Sequence, residues 1–166
     1  MKAKCVGTIN LGNEVTISDP CYDSGIWCSI TFKNILEGDF KCYIKEKKYG
    51  SWGNRVTEMY VIHNDYENLV RADNYEYCGD VCVDSGTMSI TDTAYYDSCH
   101  SNDDYSEEWY KREVCDATCG DDEKDYNIAD YKCFISTSGI GDGQYGVYGA
   151  FDGEDRLYAV KIVFLD

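Results

Sequence analysis

The sequence predicts a mainly β fold, a single-domain antiparallel β-sandwich or barrel that carries one inserted α-helix. Sixteen tyrosines and one proline among 166 residues are typical of packed strands, since Tyr, Val, Ile and Thr suit a half-buried pleated surface. Short stretches of alternating apolar and polar residues recur along the chain, and only one stretch has a convincing helical pattern. The length favours one domain, residues 1–166, with its own hydrophobic core.

The first half of the chain predicts two hairpins. Its predicted strands are 2–9, 15–18, 26–32, 40–45 and 56–63. A glycine turn at 11–13 joins the first two strands into an opening hairpin, and Pro20 ends the second strand because proline cannot donate to a β ladder. The last two strands form the second hairpin, whose wide loop exposes Trp52 at its tip.

The second half of the chain returns to β structure on both sides of the helix. Its predicted strands are 81–84, 87–91, 131–136, 144–151 and 157–165. The first two flank a short turn at 84–87 that contains Gly86. The last strand is apolar on both faces, which is typical of a strand in the middle of a structure.

The predicted helix covers about 106–118. Ser106 is a suitable N-cap, Glu107 and Glu108 suit the positive end of the helix dipole, and Gly120 can stop the helix. Trp109 and Val114 are expected to face the core.

The charge is strongly acidic, with 31 acidic and 15 basic side chains and a net charge of −16. Such a surface repels nucleic-acid phosphates and anionic membranes, and it attracts cations, basic proteins or proteins that bind nucleic acid. Segment 102–130 has a marked excess of acidic residues and is a candidate interaction surface. The alternative is a solvent-exposed helix and loop without a partner, since its sequence would have the same acidic composition. The residues proposed for that surface are Asp103, Asp104, Glu107, Glu108, Asp121 and Asp122.

The ten cysteines leave two interpretations open. The start of the chain has no apolar signal segment, which favours reduced, structural thiols in the cytoplasm of a bacterium or an infected host cell. A disulfide-bonded extracellular or virion protein is the alternative. Two Cys-x-x-x-Cys pairs, Cys78 with Cys82 and Cys115 with Cys119, have the wrong spacing for a typical zinc knuckle.

A pattern of Ile-x-Asp-x-x-Tyr occurs three times, at 17–22, 90–95 and 140–145. Each copy falls where a strand ends or turns, so each Asp can cap a turn while the Tyr packs. The alternative gathers Asp19, Asp92 and Asp142 into a carboxylate cluster that would bind a divalent cation, the one cofactor considered, or perform acid–base chemistry. The candidate ligand-binding residues are Asp19, Tyr22, Asp84, Asp92, Tyr95, Gly141, Asp142, Gly143 and Tyr145.

Several catalytic and binding motifs are absent from the sequence. It contains no phosphate-binding loop, no Gly-x-Ser-x-Gly elbow and no His-Glu-x-x-His. The acidic run that begins at Asp121 resembles a calcium loop, but Tyr126 replaces the required glycine and Lys132 the final Glu. These classes are therefore disfavoured, and no catalytic residue is predicted.

Three stretches together resemble a family of uncharacterised bacterial and phage proteins, a domain of unknown function. They are Ile-Ser-Asp-Pro-Cys-Tyr at 17–22, Val-Asp-Ser-Gly at 83–86 and Ser-Gly-Ile-Gly-Asp-Gly-Gln-Tyr at 138–145. The resemblance implies a prokaryotic or viral cytoplasmic setting and no particular activity. The second copy of the repeated pattern has Thr93 where the first has Pro20, so the resemblance supports a common role less strongly for Asp92 than for Asp19.

The sequence thus favours a non-enzymatic acidic interaction protein, an inhibitor, immunity or phage counter-defence factor that acts on a protein partner. The alternative hypothesis is a ligand- or metal-binding β domain built on the carboxylates of the repeated pattern, with hydrolysis as the activity considered for it.

Overall fold

Two antiparallel β-sheets pack face to face, and a layer of helices covers the outer face of one of them. The structure is a computed structural model that describes residues 2–23, 25, 28–100, 103–119 and 124–166, without the side chains of 103–106. The predicted fold class, a β-sandwich with an inserted helical segment, is confirmed.

Sheet A has six strands and sheet B has five. The strands of sheet A, in spatial order, are β1 (Lys4–Leu11), β4 (Gly38–Lys48), β5 (Asn54–His63), β11 (Leu157–Val163), β10 (Gly143–Phe151) and β6 (Glu76–Val83). Those of sheet B are β3 (Ile30–Phe32), β2 (Val15–Ser18), β7 (Thr87–Asp92), β9 (Cys133–Thr137) and β8 (Tyr126–Ala129). The main core lies between the two sheets.

Local patterning predicted the hairpin of β4 and β5 correctly. The two strands pair from Phe40 with His63 to Lys48 with Asn54, and Trp52 is exposed in the connection, as expected. The prediction for the last strand is also confirmed, because β11 lies between β5 and β10 in the middle of sheet A.

The predicted opening hairpin is wrong. β1 pairs with β4 in sheet A, whereas β2 pairs with β3 and β7 in sheet B. The turn at 11–13 therefore carries the chain from one sheet to the other. The turn that contains Gly86 does the same between β6 and β7. A turn signal shows that the chain reverses direction, but it does not show which sheet the next strand joins.

The helical layer is longer than predicted. A first helix, α1 (Thr93–Cys99), was not expected. The predicted helix begins earlier than Ser106 and consists of α2 (Asp103–Tyr110), a π-helical segment (Lys111–Cys115) and α3 (Asp116–Cys119). Trp109 and Val114 are buried as predicted, in a cluster with residues of β8 and β9. No helix among the described residues is long and apolar enough to span a membrane.

A third cluster lies on the outer face of sheet A, beneath the segment 64–75. This segment contains two short 3-10 helices, Asn64–Tyr66 and Ala72–Asn74. Tyr66 stacks on Tyr158 of β11 with ring centroids 4.1 Å apart. The segment therefore covers part of a face that would otherwise be open to solvent.

Candidate functional site

Asp19 lies at the end of β2, and its side chain is completely buried. The carboxylate accepts hydrogen bonds from the backbone N–H groups of Cys21 (2.9 Å), Asp84 (2.8 Å) and Ser85 (2.8 Å). The Ser85 hydroxyl donates a fourth bond of 2.7 Å. Four donors satisfy a buried carboxylate without a cation. Asp19 therefore fastens the end of β2 to the turn between β6 and β7.

The three stretches that carry the family resemblance meet around Asp19. The hydroxyl of Tyr22 donates to the carboxylate of Asp84 over 2.6 Å, and this hydrogen bond raises the pKa of Tyr22 to about 12. The N–H of Ser138 donates to the carbonyl of Gly86. Gly143 pairs with Val83 across β10 and β6. We name this region, residues 19–22, 83–86 and 138–145, the Asp19 corner.

The glycine-rich stretch of the Asp19 corner forms a turn that is closed by its own side chains. The Tyr145 hydroxyl lies 2.6 Å from the carbonyl of Gly141 and 3.1 Å from that of Ser138. Gly141 has a φ of 118°, a conformation that favours glycine. Asp142 is exposed to solvent. Gly143 begins β10. These glycines therefore shape the entry into a strand.

Asp92 has a different role. It is the N-cap of α1, and its carboxylate accepts the N–H of Tyr95 over 3.0 Å. The second carboxylate oxygen accepts the N–H of Gly12 over 2.8 Å. The hydroxyl of Tyr95 donates to Asp130 and accepts a bond from the indole of Trp109. We name the surroundings of Asp92, residues 12, 92–95 and 130, the Asp92 corner.

The structure does not bring the three pattern carboxylates together. Asp92 pairs with Val15, whereas Asp19 follows the other end of β2, so about 13 Å of strand separates their backbones at 3.3 Å per residue. Asp19 directly follows β2 and Asp92 is the last residue of β7, and the carboxyl ends of these antiparallel neighbours lie at opposite edges of the sheet. Among the described residues, no group of three or more His, Cys, Asp or Glu side chains could hold a metal ion.

The predicted acidic surface is described only in part. Glu107 and Glu108 are exposed on α2. Asp103 and Asp104 lie in the first turn of that helix, but their side chains are outside the described set. Asp121 and Asp122 fall outside the described residues altogether. The exposed acids of the helical layer whose side chains are described are Asp97, Glu107, Glu108 and Asp116.

Charge is distributed unequally between the two sheets. Seven basic residues lie in the strands of sheet A, namely Lys4, Lys41, Lys45, Lys47, Lys48, Arg55 and Lys161. The strands of sheet B, all of them within the described residues, contain no lysine or arginine. The acidic helices pack on sheet B. The strands of sheet A also contain five acids, whereas the described helices contain seven acids and two bases, so the helical layer is the more acidic of the two.

The cysteines of the described residues are free thiols. Cys42 and Cys133 are fully buried core residues, and burial raises the pKa of both thiols. Tyr131, the first residue of the predicted strand 131–136, is exposed and precedes β9, which begins at Cys133. Structural thiols of this kind resist conversion to the reactive thiolate.

A groove on the outer face of sheet A was not predicted from the sequence. Its floor comes from β4, β5 and β11, and its wall comes from the segment 64–75. The side chains that define it are Tyr43, Lys45, Glu58, Tyr60, Tyr75 and Lys161. We call it the tyrosine–lysine groove. Four separate parts of the chain contribute to it, and no short motif marks any of them.

Comparison of the chain with protein-family models, with curated proteins and with solved structures finds no match.

Proposed function

We propose that this chain is a non-enzymatic interaction protein whose acidic helical layer binds a basic or nucleic-acid-binding protein. In that role it would act as an inhibitor, immunity or phage counter-defence factor in the cytoplasm of a bacterium or an infected cell. The observation that carries the proposal is the unequal distribution of charge between the helical side and sheet A.

This distribution concentrates negative potential on one side of the molecule. The described helices hold seven acids and two bases, whereas the strands of sheet A hold five acids and seven bases. A one-sided field orients an oppositely charged partner and speeds its association. If the charge served only solubility, the acidic and basic residues would not need to lie on different sides of the molecule, because interspersed charges support solubility equally well.

The carboxylate-cluster hypothesis receives less support. Asp19 and Asp92 are each bonded to backbone donors at opposite ends of β2 and β7. Among the described residues, Asp142 belongs to no group of three or more ligand side chains that could hold a metal ion. The geometry favours the turn-capping interpretation for the first two residues.

The proposal can be tested by neutralising the helical layer. The acidic-layer variant replaces Asp97, Glu107, Glu108 and Asp116 by their amides. Tagged wild type and variant are incubated with bacterial lysate, and the captured proteins are quantified by mass spectrometry at low and high salt. We expect a basic protein that wild type captures and the variant loses by about tenfold, with capture weakening as salt rises.

A control variant of equal charge separates a local effect from one of total charge. It replaces four exposed acids on the sheet A side, Glu37, Asp65, Asp73 and Glu76, by their amides. The control should retain the partner. Equal loss in both variants, or a partner that neither change affects, would contradict the proposal.

A further inference from the structure

The tyrosine–lysine groove has the size and lining of a small-molecule site. Its volume is about 380 Å³, within the roughly 300–1,000 Å³ typical of ligand pockets. Tyr43 and Tyr60 line the groove as a stacked pair, with ring centroids 5.0 Å apart. Ile62 and Val70 add apolar surface. A largely apolar body would fit against these side chains.

Two cations of the groove, Lys161 and Arg71, have no anionic partner among the described residues, and of the two only Lys161 is partly buried. Glu58 pairs with Lys45 over 2.8 Å, and Glu67 pairs with Lys41 over 2.5 Å. Lys161 makes no ion pair or hydrogen bond with any described residue. Its ammonium lies over the ring of Tyr75, 4.6 Å from the centroid, and 5.6 Å from that of Tyr148. The lining acids are thus already engaged by other lysines.

The environment of Lys161 is unfavourable for an unpaired ammonium. Partial burial lowers its pKa, and the nearby Lys45 lowers it further, although Glu58 acts in the opposite direction. Burial also raises the pKa of Tyr60 to about 12, so the phenol remains a neutral donor. An anion placed beside Lys161 would restore the solvation that the ammonium loses.

We propose that the tyrosine–lysine groove binds a small organic anion with an apolar body. The apolar body would lie against the tyrosines of the groove, Ile62 and Val70, and the anionic group would contact the ammonium of Lys161. The groove lies on the face opposite the helical layer. This site is therefore independent of the proposed protein interface.

The test uses a fluorescent probe of this chemistry, anilinonaphthalene sulfonate, together with its neutral counterpart N-phenylnaphthylamine. Wild type should bind the sulfonate saturably at one site. Lys161→Met keeps the apolar stem but removes the charge, and it should weaken sulfonate binding by about tenfold, in keeping with the loss of a charge-assisted contact. Binding of the neutral probe should not change in this variant.

Two further variants keep the test decisive. Lys48→Met removes an exposed lysine of sheet A outside the groove and should bind the sulfonate as wild type does. Ala72→Trp places a large side chain in the exposed wall of the groove and should block both probes. Near-ultraviolet circular dichroism confirms native packing of each variant. Unchanged sulfonate binding in Lys161→Met or Ala72→Trp, or no saturable binding by wild type, would overturn the proposal.

Discussion

The Asp19 corner and the Asp92 corner occupy opposite ends of the same strand pair, β2 and β7. Both contain a buried aspartate that follows a strand, and both contain a tyrosine three residues later that donates to a second carboxylate over 2.6 Å. The partners of the two aspartates differ. Asp19 binds the turn at Asp84 and Ser85, far away in sequence, whereas Asp92 caps the helix that begins beside it.

The difference shows that one local pattern can serve two structural purposes. Asp19 joins sheet B to the turn that leads out of sheet A, so its hydrogen bonds to Asp84 and Ser85 form only when the two sheets have assembled. Asp92 stabilises a helix start, and only its bond to Gly12 reaches a distant segment. Asp19 should therefore contribute more to the stability of the fold.

The largest effect is expected for Asp19→Ala. This change leaves three backbone N–H groups and the Ser85 hydroxyl without their acceptor. Because an unsatisfied buried donor costs about 1–3 kcal/mol, the free energy of unfolding should fall by about 3 kcal/mol. Urea denaturation followed by circular dichroism measures this loss.

Asp142→Ala is the matched control, since Asp142 holds the same position in the third copy of the pattern but is exposed. Its effect should stay within about 0.5 kcal/mol, as is usual for surface substitutions. Equal losses for Asp19→Ala and Asp142→Ala would contradict the role assigned to Asp19.

A smaller effect is expected for Asp92→Ala. Loss of an N-cap costs about 1 kcal/mol, and the N–H of Gly12 loses its acceptor as well, so the free energy of unfolding should fall by about 1–2 kcal/mol. Asp92→Asn, which retains an oxygen for the cap, should recover part of this loss. If Asp92→Ala and Asp19→Ala lowered the free energy of unfolding equally, the larger structural role assigned to Asp19 would be contradicted.

The tyrosines of the two corners should respond differently to alkali. The bond to Asp84 raises the pKa of Tyr22 to about 12, and burial together with the bond to Asp130 raises the pKa of Tyr95 further. Both values exceed that of an unfolded tyrosine, about 10. The stability that these groups contribute is therefore complete below pH 10 and is lost as the pH rises through their folded-state values.

Tyrosine carbon-13 NMR between pH 9 and pH 12 can separate the two groups. Tyr22 should titrate in the folded protein near pH 12, while Tyr95 should remain protonated until the protein unfolds. Asp84→Asn should return the pKa of Tyr22 toward 10 and leave Tyr95 unchanged. A Tyr22 resonance that titrates at pH 10 in wild type would show that the bond to Asp84 is not formed.

The sequence predicted the parts of the fold that depend on neighbouring residues. The hairpin of β4 and β5 and the two-sided apolar pattern of β11 follow from local periodicity. The assignment of β1 and β2 to different sheets does not follow from local periodicity. The same turn at 11–13 could join two strands of one hairpin or connect a strand of one sheet to a strand of the other. Helix α1 was missed because Asp92 was interpreted as the end of a strand and not also as an N-cap.

Less of the candidate sites than of the fold could be predicted from the sequence. The capping interpretation of Asp19 and Asp92 was available from the sequence, since each Asp follows a strand. Their separation depends on the antiparallel pairing of β2 with β7, which no local pattern reveals. The tyrosine–lysine groove depends on the same kind of information, because Tyr43 and Lys161 meet only when β5 lies between β4 and β11.

The central position of β11 also affects how the protein is made. Every other described strand precedes β11 in the chain. In sheet A, however, β11 lies between β5 and β10 and is the strand that joins the two halves of the sheet. During synthesis the half-sheets β1–β4–β5 and β10–β6 must therefore wait with open edges until residues 157–163 leave the ribosome. Such long-range closure slows folding and exposes strand edges to mispairing, most of all just before β11 emerges.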